Sequence, residues 1–127
     1  MTEVDARLKV LGERYRDSLP AKRAGIERAW RSLVGSGHDV EHMEVLRRIV
    51  HRIAGSAPSY GHSAIGRLAS EAEAELERLG SDARSAARPG TGLCALAPLI
   101  DRLLLALDEG MNAQDIEIPP GPTSPPA

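Results

Sequence analysis

Phenylalanine is absent from this chain, and tryptophan and tyrosine contribute only Tyr15, Trp30 and Tyr60. Aromatics at 2% leave the interior to Leu, Ile, Val and Ala, side chains that pack well between helices. β-Branched and aromatic residues never gather into alternating runs, so nothing supplies the strands of a sandwich, a barrel or a doubly wound sheet. Cysteine occurs once, at Cys94, which excludes an intramolecular disulfide and a cysteine-based zinc site. No run approaches the eighteen or so apolar residues of a membrane span, and MTEVDARLKV lacks the apolar stretch of a signal peptide. A cytoplasmic address is expected. An excess of charge is missing too. Sixteen Lys and Arg against eighteen Asp and Glu give a net charge of −2, too balanced for a chain that grips a phosphate backbone. Neither nucleic acid nor a membrane is expected as a partner.

What is present is amphipathic helix. Thr2 and Asp5 form a capping box ahead of a first stripe, Val4, Leu8, Leu11 and Tyr15. Leu19-Pro20 is expected to break that helix, because the residue before proline is pushed out of the α region. Pro20 then opens a second helix with Ile26, Ala29, Trp30, Leu33 and Val34 inward, ended by Gly35-Ser36-Gly37. Asp39 caps a third, whose apolar face is Met43, Leu46, Ile49, Val50, Ile53 and Ala57. Pro58 to Gly61 is a turn. A fourth helix runs from about Ser63 to Leu79, with Ile65, Leu68, Ala69, Ala72, Leu76 and Leu79 inward. Its acidic row, Glu71, Glu73, Glu75 and Glu77, reads as a solvated face without function.

Residues 80–92 are expected to form a flexible connection. A fifth helix follows, with Leu96, Ile100, Leu103, Leu104 and Leu107 as its stripe. Pro98 marks its start or a kink, and Gly110 its stop. The last ten residues, IPPGPTSPPA, hold five prolines and form neither helix nor packed strand. Short connections between helices of similar length predict an all-α, antiparallel up-down four-helix bundle. The first helix packs across one end, residues 1–111 make the domain, and 112–127 are a disordered Pro-rich tail. A bundle by itself implies no activity.

Function has to come from the histidines. His38 and His42 are spaced i, i+4 but lack a third ligand, so no metal site is expected. His62 beside the turn glycine supports no chemistry. His51 lies about 140° from the buried direction of its helix, so it projects into solvent from mid-helix. Gly55, one turn on, costs about 1 kcal/mol relative to alanine and clears a path to the imidazole. Arg47 and Arg48, one turn before, can reach anionic oxygens held at the ring. A solvent-exposed imidazole is ordinarily uncharged enough at neutral pH to act as a nucleophile. Wheel geometry leaves two readings open: a nucleophile for a phosphoryl group, or a surface histidine beside a tolerated glycine.

The block His51-Arg-Ile-Ala-Gly-Ser-Ala-Pro-Ser-Tyr-Gly61 resembles the signature of histidine-containing phosphotransfer (HPt) domains. His51, Ile53, Gly55, Ser56, Ala57, Tyr60 and Gly61 match that pattern. The likeness spans about residues 10–108, including Tyr15 to Ile26 and Leu68 to Leu79. It implies a phosphorelay carrier. His51 would accept a phosphoryl group from an aspartyl phosphate on a receiver domain, of a response regulator or a hybrid histidine kinase, and pass it to another receiver. Such a carrier is a phosphotransfer intermediate in two-component signalling rather than an autonomous kinase, and the chain has no ATP-binding loop. It needs no cofactor of its own, because the Mg²⁺ belongs to the receiver, and a monomer suffices. The sequence departs from the family at Ala54, where the pattern has a lysine that steadies the phosphoryl group. Arg47, Arg48 or Arg52 could substitute, Arg47 being nearest on the wheel. Gly55 and Ser56 complete the expected phosphate and docking environment. A receiver-docking module without transfer, or a structural helical adaptor, is the alternative.

Overall fold

The computed structural model describes residues 2–37, 39–84 and 93–112. They form four α-helices, α1 (Glu3–Gly35), α2 (Val40–Ser56), α3 (Ser63–Arg84) and α4 (Leu93–Asn112), with a 3-10 turn at Pro58–Tyr60. There is no strand among the described residues. Packing closes a ring: α1 lies on α2, α2 on α3, α3 on α4, and α4 on α1. The interior is aliphatic, as the composition requires. Leu19, Ile26 and Leu33 of α1 meet Leu46, Val50 and Ile53 of α2, Leu76 of α3, and Leu96, Ile100, Leu103 and Leu107 of α4, all essentially solvent-free. The Thr2–Asp5 capping box and the Asp39 cap, which accepts from the Glu41 backbone N–H at 3.1 Å, begin their helices as read from the sequence.

The expected break at Leu19-Pro20 does not occur. One helix of 33 residues runs through Pro20, so no separate N-terminal helix packs across the bundle end. Proline inside a helix costs about 3 kcal/mol, which burial of one or two large aliphatic side chains offsets at roughly 1.5–3 kcal/mol each. Leu19 and Ile26, on either side of the proline, are both fully buried in the same core. Pro20 itself is exposed, so the hydrogen bond it cannot make is lost on the solvent side. The stripe read upstream is therefore only partly used. Tyr15 is buried, but Val4, Leu8 and Leu11 remain 64%, 53% and 41% exposed on the part of α1 that extends beyond the core. Val34 is also exposed, and Trp30 only half-buried.

Three further boundaries shift. Helix α3 continues past Leu79 and Gly80 to Arg84, taking in the first part of the expected connection; residues 85–92 lie outside the described residues. Helix α4 starts at Leu93, five residues before Pro98, and passes through Gly110 to Asn112. Gly110 is not a stop but a close approach. A Cβ there would stand 3.0 Å from both the Ile65 and Leu19 side chains. Apart from Asn112, the Pro-rich tail lies outside the described residues.

The turn between α2 and α3 is closed by backbone bonds. The Ala57 carbonyl accepts from the N–H groups of Tyr60 (3.1 Å) and His62 (2.9 Å), and Gly61 adopts φ 87°, which glycine enters without strain. Gly66 on α3 lets this turn lie flat, since a Cβ there would come within 2.4 Å of the Pro58 ring. Gly66→Ala is therefore expected to destabilise the protein by about 1–3 kcal/mol. Gly25→Ala, where a Cβ meets nothing within 4 Å, should stabilise α1 by roughly 0.5–1 kcal/mol. Denaturant midpoints of the two variants check both signs.

Candidate phosphoacceptor site on helix 2

The inward face of α2 is fixed by Met43, Leu46, Val50, Ile53 and Ala57, and this leaves His51 facing out with its side chain 64% exposed. The ring is nevertheless not unattached. Its Nδ1 lies 2.5 Å from Oε2 of Glu73, which reaches across from α3 and is itself only 17% exposed. Small buried residues on α3, Ala69 and Ala72, bring the two helices close enough for that span.

Glu73 was read from the sequence as part of a solvated acidic face, and the structure corrects this. Residues two apart on a helix point about 200° away from each other. Glu71, Glu73, Glu75 and Glu77 therefore divide between two sides. Glu73 and Glu77 lean toward α2, where Arg47 stands 3.5 Å and 3.9 Å from them, whereas Glu75 pairs with Arg78. The wheel that placed His51 held this signal for Glu73 as well.

The basic residues around His51 differ sharply in how they are engaged. Arg47 forms two short bonds to Glu44, Nε to Oε2 at 2.9 Å and Nη2 to Oε1 at 2.8 Å, and also touches the Glu73 oxygen that His51 uses. Arg48 makes one longer contact, 3.4 Å to Glu44, and stays 68% exposed. Arg52 is exposed and forms no ion pair among the described residues. It lies about 100° around the helix from His51, away from Glu73.

Gly55 is exposed, and an added Cβ would meet nothing within 4 Å. No contact among the described residues requires that glycine, so the surface they leave open beside His51 can receive another molecule. Ala54 is half-buried against the core, directed between α2 and its neighbours rather than outward.

Ser56 serves the fold. Its hydroxyl donates to the Arg52 carbonyl (2.7 Å) and so receives the Tyr15 hydroxyl (2.8 Å). The Tyr15 ring stacks on Tyr60 at 5.0 Å and 18° and lies 5.4 Å from His62. Burial pushes the Tyr15 phenol above its ordinary value, and Lys22 sits 4.6 Å over the same ring. His62 is buried, with Nε2 3.4 Å from the Gly12 carbonyl. His42 pairs with Asp39 at 3.1 Å, and its expected companion His38 lies outside the described residues.

Glu44 carries the clearest electrostatic consequence. Its hydrogen bonds to Arg47 hold the carboxyl down to about 2, from an ordinary 4.5. A carboxylate whose folded value is depressed contributes stability above the ordinary value and loses it as pH falls through the folded one. The pair's contribution is thus whole above pH 4.5 and disappears toward pH 2. Arg47→Met is expected to raise the midpoint of acid unfolding, followed by circular dichroism through that window. A midpoint that stays put would show that the pair does not stabilise the fold.

No curated protein and no solved structure gives a significant match to the chain. The family model described as Hpt domain matches residues 11–114, which takes in all of α2, the turn, α3 and α4 and most of α1. The match covers well over half of the chain and takes in His51 and Gly55, and by it the chain belongs to the Hpt domain family.

Proposed function

We propose that the chain carries a phosphoryl group on His51 between receiver domains in a two-component phosphorelay. Family membership implies histidine phosphotransfer in such signalling. The observation that carries the residue-level reading is His51 held mid-helix in solvent, with the space over Gly55 left empty among the described residues. In the forward step a ring nitrogen of His51 attacks the phosphorus of an aspartyl phosphate. The acyl-phosphate P–O bond breaks, and the aspartate leaves as its carboxylate. The second receiver reverses the sequence. This is nucleophilic catalysis divided between two proteins, with the acidic pocket and Mg²⁺ on the receiver.

The ring of helix contacts and the short α1–α2 and α2–α3 connections support an up-down antiparallel bundle. No helix among the described residues is long and apolar enough to cross a membrane. A monomer acting in the cytoplasm, meeting the receivers of response regulators and hybrid kinases in small transient contacts, fits these features. Arg48 and Arg52, both exposed on the flank of His51 turned away from Glu73, are the cations best placed to meet an incoming phosphoryl group or the receiver's acidic rim.

The decisive experiment incubates the protein with phosphorylated receivers and follows label onto wild type and three variants. Wild type should gain acid-labile phosphate and His51→Gln none. Gly55→Glu should lose both binding and label, because bulk and negative charge fill the open approach. Ala54→Lys should label faster, its stem lying along the helix with the ammonium at the surface. Receiver binding that persists without any label on wild type would replace the carrier with a docking module. Absence of both would leave a structural adaptor.

A further inference from the structure

We propose that residues 113–118, Ala-Gln-Asp-Ile-Glu-Ile, clasp the N-terminal extension of α1, with Asp115 on Arg16 and the two isoleucines on the Val4-Leu8-Leu11 stripe. Those three side chains continue the line of buried Tyr15 and Leu19, yet they stay largely exposed among the described residues. A patch so small falls well short of the roughly 800 Å² per partner that a stable protein–protein interface uses. It suits a short segment of the same chain instead. A tether supplies an effective concentration on the order of millimolar, so the contact needs little affinity of its own.

Helix α4 aims that segment at the stripe. Arg23 Nε lies 2.6 Å from Asp108 Oδ1, and Gly110, two residues further along α4, packs against Leu19, four residues back along α1. The two helices therefore run antiparallel, and α4 ends at Asn112 heading along α1 toward its N-terminus. His62 touches both: its Nδ1 is 3.8 Å from a Cβ placed at Gly110, and its Nε2 is 3.4 Å from the Gly12 carbonyl. Leu8 lies eleven helical residues from Leu19, about 16 Å. The eight residues from Gly110 to Ile118 span about 12 Å as helix and about 26 Å extended, so the stripe is within reach.

Charge repeats in the same register. Lys9, Arg16 and Arg23 recur every seven residues along α1, a spacing that returns to within about 20° of one direction on a helix. Asp101, Asp108 and Asp115 recur every seven as well. Because Asp108 meets Arg23, seven residues back along α1 and seven forward from Asp108 bring Asp115 to Arg16. Glu117 follows toward Lys9, and Pro119 and Pro120 come directly after the segment. The clasp is weak by construction. The early amides of α1 still open by the fraying of a short helix, only less often while the segment is seated.

The test follows methyl nuclear Overhauser contacts and amide exchange in the full chain. Contacts should join the methyls of Ile116 or Ile118 to those of Leu8. Asp115→Arg, and Ile116→Ser combined with Ile118→Ser, should each speed exchange of the Ala6 to Leu11 amides about three- to tenfold. Amides near Leu19 and Ile26 should keep their wild-type rates, which shows an intact core. Arg16→Asp should speed the early amides in the same way, and adding Asp115→Arg to it should restore them, because the exchanged charges close the same register. Wild-type rates in both segment variants, or an exchange of charges that restores nothing, would overturn the clasp. So would protection that rises with protein concentration while sedimentation shows a dimer, since the stripe is then covered by a second copy. None of these readings involves His51, so the clasp and the carrier stand or fall separately.

Discussion

Tyr15 is the pin that fixes the register of α2 against α3. Its hydroxyl holds Ser56 at the end of α2, its ring stacks on Tyr60 in the turn, and the same ring lies beside His62 at the threshold of α3. A chain with three aromatics has placed two of them in one stack, at the point where two helices reverse direction. Slippage of α3 by one helical turn would bring Ala69 or Glu77, not Glu73, opposite His51. The short bond at the site depends on a tyrosine five residues along α2, contributed by a different helix.

Much of this was legible in the sequence, and the failures have definite causes. Caps and apolar stripes located α2 closely, because Asp39 and the Met43-to-Ala57 face report local geometry that tertiary contacts only reinforce. Pro20 was misread because a propensity argument sees the cost of proline and not Leu19 and Ile26 buried beside it. Gly110 was misread for the converse reason. A glycine near a helix end suggests a stop, whereas here it admits Ile65 and Leu19 from two other helices. His51 was found because exposure on a helical wheel is a one-helix property. Its bond to Glu73 depends on how two helices face each other, although the 200° spacing of the glutamates already argued against one acidic face.

A net charge of only −2 over the whole chain conceals a strongly structured local field. Beside His51 a single guanidinium meets three carboxylates, one of which also takes the ring. Cations nearest on the wheel are therefore not the cations most available. The arginine closest to the imidazole is occupied, while those farther around the helix are exposed. Proximity in sequence estimates reach, but only the network of partners shows whether a charge can leave where it sits.

The N-terminal stretch of α1 extends this contrast between local and shared stability to the longest helix. Its first nine residues are exposed throughout, held by a capping box and successive backbone bonds, whereas from Gly12 onward the helix is tied into the core. Amide exchange along this one helix would run between extremes. The early amides open with the helix–coil equilibrium of a short peptide, and those near Leu19 and Ile26 only when the whole domain unfolds. A continuous rod in shape is thus, in thermodynamic terms, two segments with different lifetimes.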